Sequence, residues 1–456
     1  MAMRSAATIG TALAAALLSA ALPVQAQPAA DLTALQQQLT ALKTDYDTRI
    51  SDLEARLRAA EARAAAQAAN PPAVLAAAEP PPAEGEVVIA EAAPEPAVRT
   101  GSGNAMNPGV SVVLNGNYVA TGHNPAGARI SGYPLSDDAG PFPRGFSLGE
   151  SEVTLAANVD PFFTANLTAS FSREDSVSVE EAYVQTTALP GGLTLKAGRF
   201  FSGIGYLNER HAHNWSFIDM PLPYRALLGV QYGDDGVQAR WLAPAPFFLE
   251  FGAELFRGDH FPAGNGDHNR PGAQTAFVHA GADINDESSW LAAASYIHTD
   301  ARGRDTGGDI FNGRGDIGIL SGVYKWAPGG NSTTRNLTLS GEYFFGRQRG
   351  DFNGVGVRRN QHGWYAQGVY QFTRGWSGGL RYARLGEAGA PAGLRGSVLD
   401  GLGHAPSALS ALIEYDSSEF GRFRAQFTHD MTDRRDNDLL MLQYTVVYGP
   451  HAAHRY

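Results

Sequence analysis

The chain contains no cysteine among its 456 residues. A disulfide framework and a thiolate metal centre are both excluded, so any metal has to be held by His, Asp or Glu. Basic charge is also scarce: 35 Lys and Arg stand against 46 Asp and Glu, a formal net charge of −11, which removes the electrostatic footprint that nucleic acid requires. Beyond the first two dozen residues no apolar run is long enough for a helix to cross a bilayer, so a helical membrane protein is not expected. What the chain has instead is 53 Gly and 10% aromatic residues, a mixture that suits many strands joined by tight turns.

Four segments differ in composition. Arg4 precedes an apolar, alanine-rich run from Ala6 to Leu22 and the small-x-small sequence Val24-Gln25-Ala26, the pattern of a secretory leader over residues 1–26. Over residues 31–69, Leu32, Leu35, Leu39, Leu42, Tyr46, Ile50, Leu53 and Leu57 recur at spacings of three and four, which predicts an amphipathic helix with a coiled-coil seam. The steps of four from Leu42 to Tyr46 to Ile50 form a stutter that relaxes the supercoil. A lone helix of this kind is marginal in water, so self-association is the natural way to bury its seam. Residues 70–105 are Pro, Ala and Glu with almost no large apolar side chain, a semi-extended linker.

From residue 106 to 456 the hydrophobic period is two. Phe163, Ala165, Leu167, Ala169 and Phe171 alternate with Thr164, Asn166, Thr168 and Ser170; Leu249, Phe251, Ala253 and Leu255 alternate with Glu250 and Glu254; Leu440, Leu442, Tyr444, Val446 and Tyr448 form a third such row. About sixteen segments read this way, each near the length that crosses an outer membrane when tilted. Their connections alternate between short, such as Asp160-Pro161, 190–192 and Arg374-Gly375, and long, near 121–145, 201–234, 257–272, 299–314, 346–361 and 386–407; two on the long side are themselves short, near 173–176 and 431–437. This predicts an all-β fold: a transmembrane antiparallel β-barrel of about sixteen strands in the outer membrane of a Gram-negative bacterium, preceded by a helix in the periplasm. The polar face holds Glu152, Lys196, Arg240, Glu250, Glu254, Glu342, Arg381, Arg422 and Arg424, which are expected to line a hydrated bore, since so many charges do not pack in a dry core. Trp215, Trp241, Trp326, Trp364 and Trp376 are expected in the aromatic girdles at the lipid boundary.

The connection at 201–234, "FSGIGYLNERHAHNWSFIDMPLPYRALLGVQYGD", is long, shaped by Gly203, Gly205, Pro221 and Pro223, and carries Glu209, Arg210, Asp219 and Arg225, with Arg199 just before it. We expect it to narrow the barrel. His211 and His213 are candidate ligands for a divalent ion, with Glu209 and Asp219 near in sequence, although a solvated polar loop is the simpler reading of two histidines without a third fixed ligand. His451 and His454 form a similar pair at the other end of the chain. No His-Glu-x-x-His sequence accompanies them, so no catalytic residue is assigned, and no cofactor is called for.

On the helical heptads, the Pro/Ala linker, the sixteen-strand pattern and the stretches "VEEAYVQTTALPGGLTLKAGRFF" (179–201) and "GWYAQGVYQF" (363–372), the chain resembles bacterial porins of the phosphate-selective porin O and P type. The resemblance implies a homotrimeric diffusion channel for small hydrophilic, ionic solutes, embedded in outer-membrane lipid. Members that select phosphate do so with stacked arginines and lysines, whereas here Lys196, Arg240, Arg381, Arg422 and Arg424 are mixed with Glu152, Glu250, Glu254, Glu342 and Glu414. The alternative is an outer-membrane receptor or uptake protein for a metal ion or other ligand, with a plugged barrel.

Overall fold

The computed structural model describes residues 108–140, 142–171, 176–187 and 189–449. The leader, the heptad segment, the linker, His451, His454 and all but the last residue of the short connection expected at 173–176 lie outside the described residues.

Seventeen strands form one antiparallel sheet: β1 (Gly109–Thr121), β2 (Gly145–Leu148), β3 (Ser151–Asn158), β4 (Phe163–Phe171), β5 (Val177–Thr186), β6 (Leu193–Phe201), β7 (Gly233–Leu242), β8 (Phe248–Phe256), β9 (Ala273–Asn285), β10 (Ser288–Thr306), β11 (Asp309–Trp326), β12 (Asn336–Phe352), β13 (Val355–Thr373), β14 (Trp376–Leu385), β15 (Ser407–Ser418), β16 (Gly421–Met431) and β17 (Asn437–Tyr448). β2 and β3 both pair with β1 and act as one stave interrupted by a bulge, since Gly116 faces Leu148 while Val113 faces Glu152, three steps against four. The barrel therefore has sixteen staves. It closes where β1 pairs with β17 from Val112 opposite Tyr448 to Thr121 opposite Leu439, which leaves no strand without two neighbours among the described residues.

Alternation along the strands gives the wall two faces. Leu380 (65% exposed), Tyr343, Phe423, Phe427, Leu255 and Phe251 stand outward, while Gln426, Arg424, Arg381, Glu254 and Glu342 on the same strands are buried inside. An apolar belt around a closed, hydrogen-bonded sheet is the wall of a membrane-spanning barrel. Among the described residues no helix is long and apolar enough to cross a membrane, which says nothing about strands.

Two expected loops are not loops. Residues 299–314 and 346–361 belong to β10–β13, which run 17–19 residues and end in two-residue turns at Gly307-Gly308 and Asn353-Gly354, all four at positive φ. Positive φ at both central positions is what a two-residue hairpin needs. Their Gly and charged residues read as loop because these hairpins continue past the length that crosses lipid, where neither face has to be apolar.

Candidate functional site

Between β6 and β7 the chain turns into the barrel. Gly203 to Gln231 cross the interior and include one short helix, α1 (Leu222–Leu227), entered through Pro221 and Pro223 and left through Gly229 and Val230, both at positive φ. The neck of this loop is tied by one residue: Asn208 donates Nδ2–H to the carbonyls of Ser202 (2.7 Å) and Tyr232 (2.8 Å), and its Oδ1 accepts the Tyr232 N–H (2.7 Å). Ile204, Leu207, Met220, Leu222, Tyr224 and Leu227 pack with the wall residues Phe200, Phe256, Ile297, Ile319, Phe344 and Tyr365 as an apolar core inside the barrel, joined by Ile130, Tyr133, Ala263 and Ala388 from the other long connections.

The inward charges meet this loop. On the β6–β9 side, Glu254 accepts the Gly203 N–H (2.9 Å) and Gln238 Nε2–H (2.6 Å), along with the hydroxyls of Ser202 and Thr275. Arg240 bridges Glu209 of the loop and Glu250 of the wall (3.4 Å to the latter). Lys196 stands over the Tyr183 ring at 4.4 Å. On the β11–β13 side, Glu342 accepts the Tyr206 N–H (2.7 Å) and the hydroxyls of Ser321 (2.6 Å) and Tyr365 (2.7 Å). On the β14–β17 side, Arg381 binds both the carbonyl of Asp219 (2.6 Å) and its carboxylate. Arg424 donates to the carbonyls of Trp215 (2.5 Å) and Phe217 (3.3 Å), Arg422 donates to that of His213, and Gln426 accepts the Ile218 N–H (2.8 Å).

The expectation that these inward charges line water is therefore corrected. Glu152, Glu254, Glu342, Arg381, Arg422 and Arg424 are buried against an inserted loop whose backbone N–H and C=O groups supply the partners that make such burial possible. Lys196, Glu209, Arg240 and Glu250 gather in one group, and Asp219, Arg225 and Arg381 in a second. Arg199 joins neither; it shares the outward face of Leu193 and Leu195 and pairs with Asp235 across β6 and β7 at 2.7 Å. Arg210 folds back on its own loop, with its guanidinium over the Tyr206 ring at 4.3 Å. Trp215 is not a girdle residue: it is buried in the loop and donates Nε1–H to the Arg210 carbonyl (2.6 Å).

A gap lies between the loop and β14–β17. A cavity of about 40 Å³ is edged by Asp219, Met220, Leu222 and Arg225 of the loop, by Arg381, Ala383, Ala408, Thr428 and Met441 of the wall, and by Arg129 and Leu135 of the first long connection. It has room for about one water molecule.

His211 and His213 do meet carboxylates, but not the expected ones, because Glu209 and Asp219 are taken by arginines. His211 Nδ1 lies 3.2 Å from Glu180 Oε2 and 3.3 Å from Glu152 Oε2, and its Nε2 lies 3.1 Å from Glu181 Oε2; His213 Nδ1 lies 3.0 Å from Glu152 Oε1. Glu180 and Glu181 are neighbours on a strand and would ordinarily face opposite ways. A bulge prevents this: Thr168 faces Glu181 and Ala169 faces Val179, so Glu180 is the extra residue and its carboxylate is re-aimed toward the loop.

A closed sixteen-stranded membrane barrel with a long loop folded into its interior is the architecture of the outer-membrane porin fold. An anion-selective porin from Comamonas acidovorans shares it at a TM-score of 0.50 and 8% identity, over 75% of this chain and 99% of that one. OprB of Pseudomonas putida aligns at a TM-score of 0.47 and 14% identity, over 75% of this chain and 94% of that one. No family model matches the chain. By sequence the chain belongs to the family of an uncharacterized protein of Aquifex aeolicus, with which it is 32% identical over 337 residues, 68% of this chain and 70% of that protein.

Proposed function

We propose that the protein is an outer-membrane channel for small hydrophilic, ionic solutes, with residues 201–234 as its constriction. One observation carries the reading: the loop spans the interior of a lipid-facing barrel and leaves beside it a small gap of mixed polar and apolar lining, edged by Asp219, Arg225 and Arg381. Solute would pass on that side, between the loop and β14–β17, where charges of both signs border the gap; the Lys196–Glu209–Arg240–Glu250 group would hold the loop from the opposite wall. The test is a planar-bilayer recording of the full chain and of a variant lacking residues 206–224. The deletion is expected to raise single-channel conductance severalfold, and an unchanged conductance refutes the constriction.

A second reading, a receptor whose barrel is plugged, draws support from the apolar packing of Leu222, Tyr224 and Leu227 across the interior. A folded full chain that never conducts would favour it. The assembly we propose is a homotrimer, from the porin resemblance and the heptads over 31–69, with that helix in the periplasm after removal of residues 1–26. Cross-linking that yields only monomers would remove the trimer.

A further inference from the structure

At the start of the inserted loop, two wall strands and the loop bring three side chains to one point. His211 Nδ1, one oxygen of Glu152 and one of Glu180 lie within 4.8 Å of one another. The two contacts from the nitrogen are nearly equal, 3.2 and 3.3 Å. A single hydrogen on Nδ1 can point at only one of those oxygens. A cation seated among the three serves both. The spacing suits it: ligands about 2.0–2.1 Å from a tetrahedral Zn²⁺ stand about 3.3–3.4 Å apart.

The surroundings are those of a ligand set rather than of an ordinary ion pair. The other ring nitrogen of His211 meets Glu181 at 3.1 Å, the carboxylate–imidazole contact that fixes a metal-binding histidine's tautomer and ring plane. The other oxygen of Glu152 meets His213 Nδ1 at 3.0 Å, which orients that carboxylate. The His211 ring is wedged between the His213 ring, stacked at 5.8 Å, and the Phe201 ring, edge-on at 5.6 Å. All three donors are well buried, with side chains 2% (Glu152), 8% (His211) and 11% (Glu180) exposed. Both wall carboxylates are delivered by irregularities in the sheet, Glu180 by the bulge in β5 and Glu152 next to the break between β2 and β3. Bulges of this kind re-aim side chains at functional positions.

We propose that Glu152, Glu180 and His211 bind one divalent transition-metal cation of the zinc class, with Glu181 and His213 holding the ligands in place, and that this ion fastens the inserted loop to β3 and β5. One imidazole with two carboxylates suits Zn²⁺ and its neighbours better than Ca²⁺ or Mg²⁺, which take oxygen ligands in larger number. The proposal stands whether or not the barrel conducts.

The test uses the folded full chain in detergent and Zn²⁺ alone as the probe. Calorimetric titration against a competing chelator is expected to give one Zn²⁺ per chain. Glu180→Gln and His211→Gln are expected to weaken it at least about tenfold, and Glu181→Gln roughly 10- to 100-fold through loss of the outer contact. X-ray absorption on the zinc-loaded wild-type protein is expected to find one imidazole and two carboxylates, and this measurement decides even where a variant fails to fold. Absence of stoichiometric binding, equal affinity in wild type and His211→Gln, or a shell with two or more imidazoles overturns the site.

Discussion

Arg381 gives the sharpest residue-scale prediction. Its side chain is 4% exposed and holds Asp219 by both backbone and carboxylate, so Arg381→Ala would leave a buried carboxylate with Gln426 as its hydrogen-bond donor and Arg225 as its nearby charge. Removing one partner of a buried pair costs about 3–5 kcal/mol, because the survivor keeps its desolvation penalty without its counter-charge. That cost falls on the docking of the loop rather than on the sheet, so proteolysis within 202–232 should accelerate while the barrel stays intact; loop cleavage at the wild-type rate would show that the pair does not hold the loop. A second prediction concerns pH. In the loop between β8 and β9, the Asp234 carboxylate, 3.6 Å from His260 Nδ1, raises the imidazole's pKa above its usual 6.5, against burial and Arg199 and with help from Asp259; Asp138 also faces it. A raised folded-state value means that the contact contributes fully below about pH 6.5 and is lost as pH climbs through the folded value. An NMR titration of His260 should show a midpoint above 6.5 that falls back in Asp234→Asn; an identical midpoint in the variant would discard the pairing. Sequence pattern put these charged residues on the right side of the wall in most cases, since alternation is strict in a strand. It could not pair them. Glu180 shows why: its orientation comes from a one-residue bulge, and nothing in "VEEAYV" marks which glutamate is the extra one.

At the scale of elements, the inserted loop depends on a few positions where backbone meets wall. Gly205 is the clearest, with φ +69 and its N–H donated to Ser295 Oγ (3.0 Å); a Cβ there would come 2.4 Å from the Tyr224 hydroxyl and 2.9 Å from Glu342 Oε1. Gly205→Val adds left-handed strain to a steric clash, each of order 1–3 kcal/mol, and should lift residues 205–207 off Glu342. The expected readout is faster amide exchange at Tyr206 and Leu207, whose N–H groups are bound to Glu342 and Tyr224; unchanged protection would mean that the wall yields instead. The same scale separates what was legible from what was not. Strands such as Phe163–Phe171 announce themselves because one face must be apolar in lipid. The hairpins around Gly307-Gly308 and Asn353-Gly354 do not, because strand that continues in water has no such requirement, and only the turn dipeptides betray it. Length and turn residues made 201–234 a candidate to enter the barrel without fixing that it does; that its apolar residues form a core there was not legible, since the partners are inward-facing Phe200, Phe256 and Phe344 on strands far apart in sequence.

For the whole molecule, the governing claim is that lipid, not water, wets the outside. In a soluble barrel an arginine on the outer face is harmless at any height, whereas across a bilayer its cost depends on depth. β17 offers both depths on one strand: Leu442 stands outward near its middle and Tyr448 outward at its end. Leu442→Arg is expected to cost about 2–4 kcal/mol and Tyr448→Arg about 0–1 kcal/mol in reversible denaturant unfolding from phospholipid bilayers. Neither change touches the inserted loop, because the inward neighbours of Leu442 on this strand, Met441 and Gln443, are left as they are. The difference between the two variants therefore reports on the solvent around the wall and on nothing inside it. Equal, near-zero costs would place the apolar belt in water or against another protein surface, and a channel across a membrane would then have no membrane to cross.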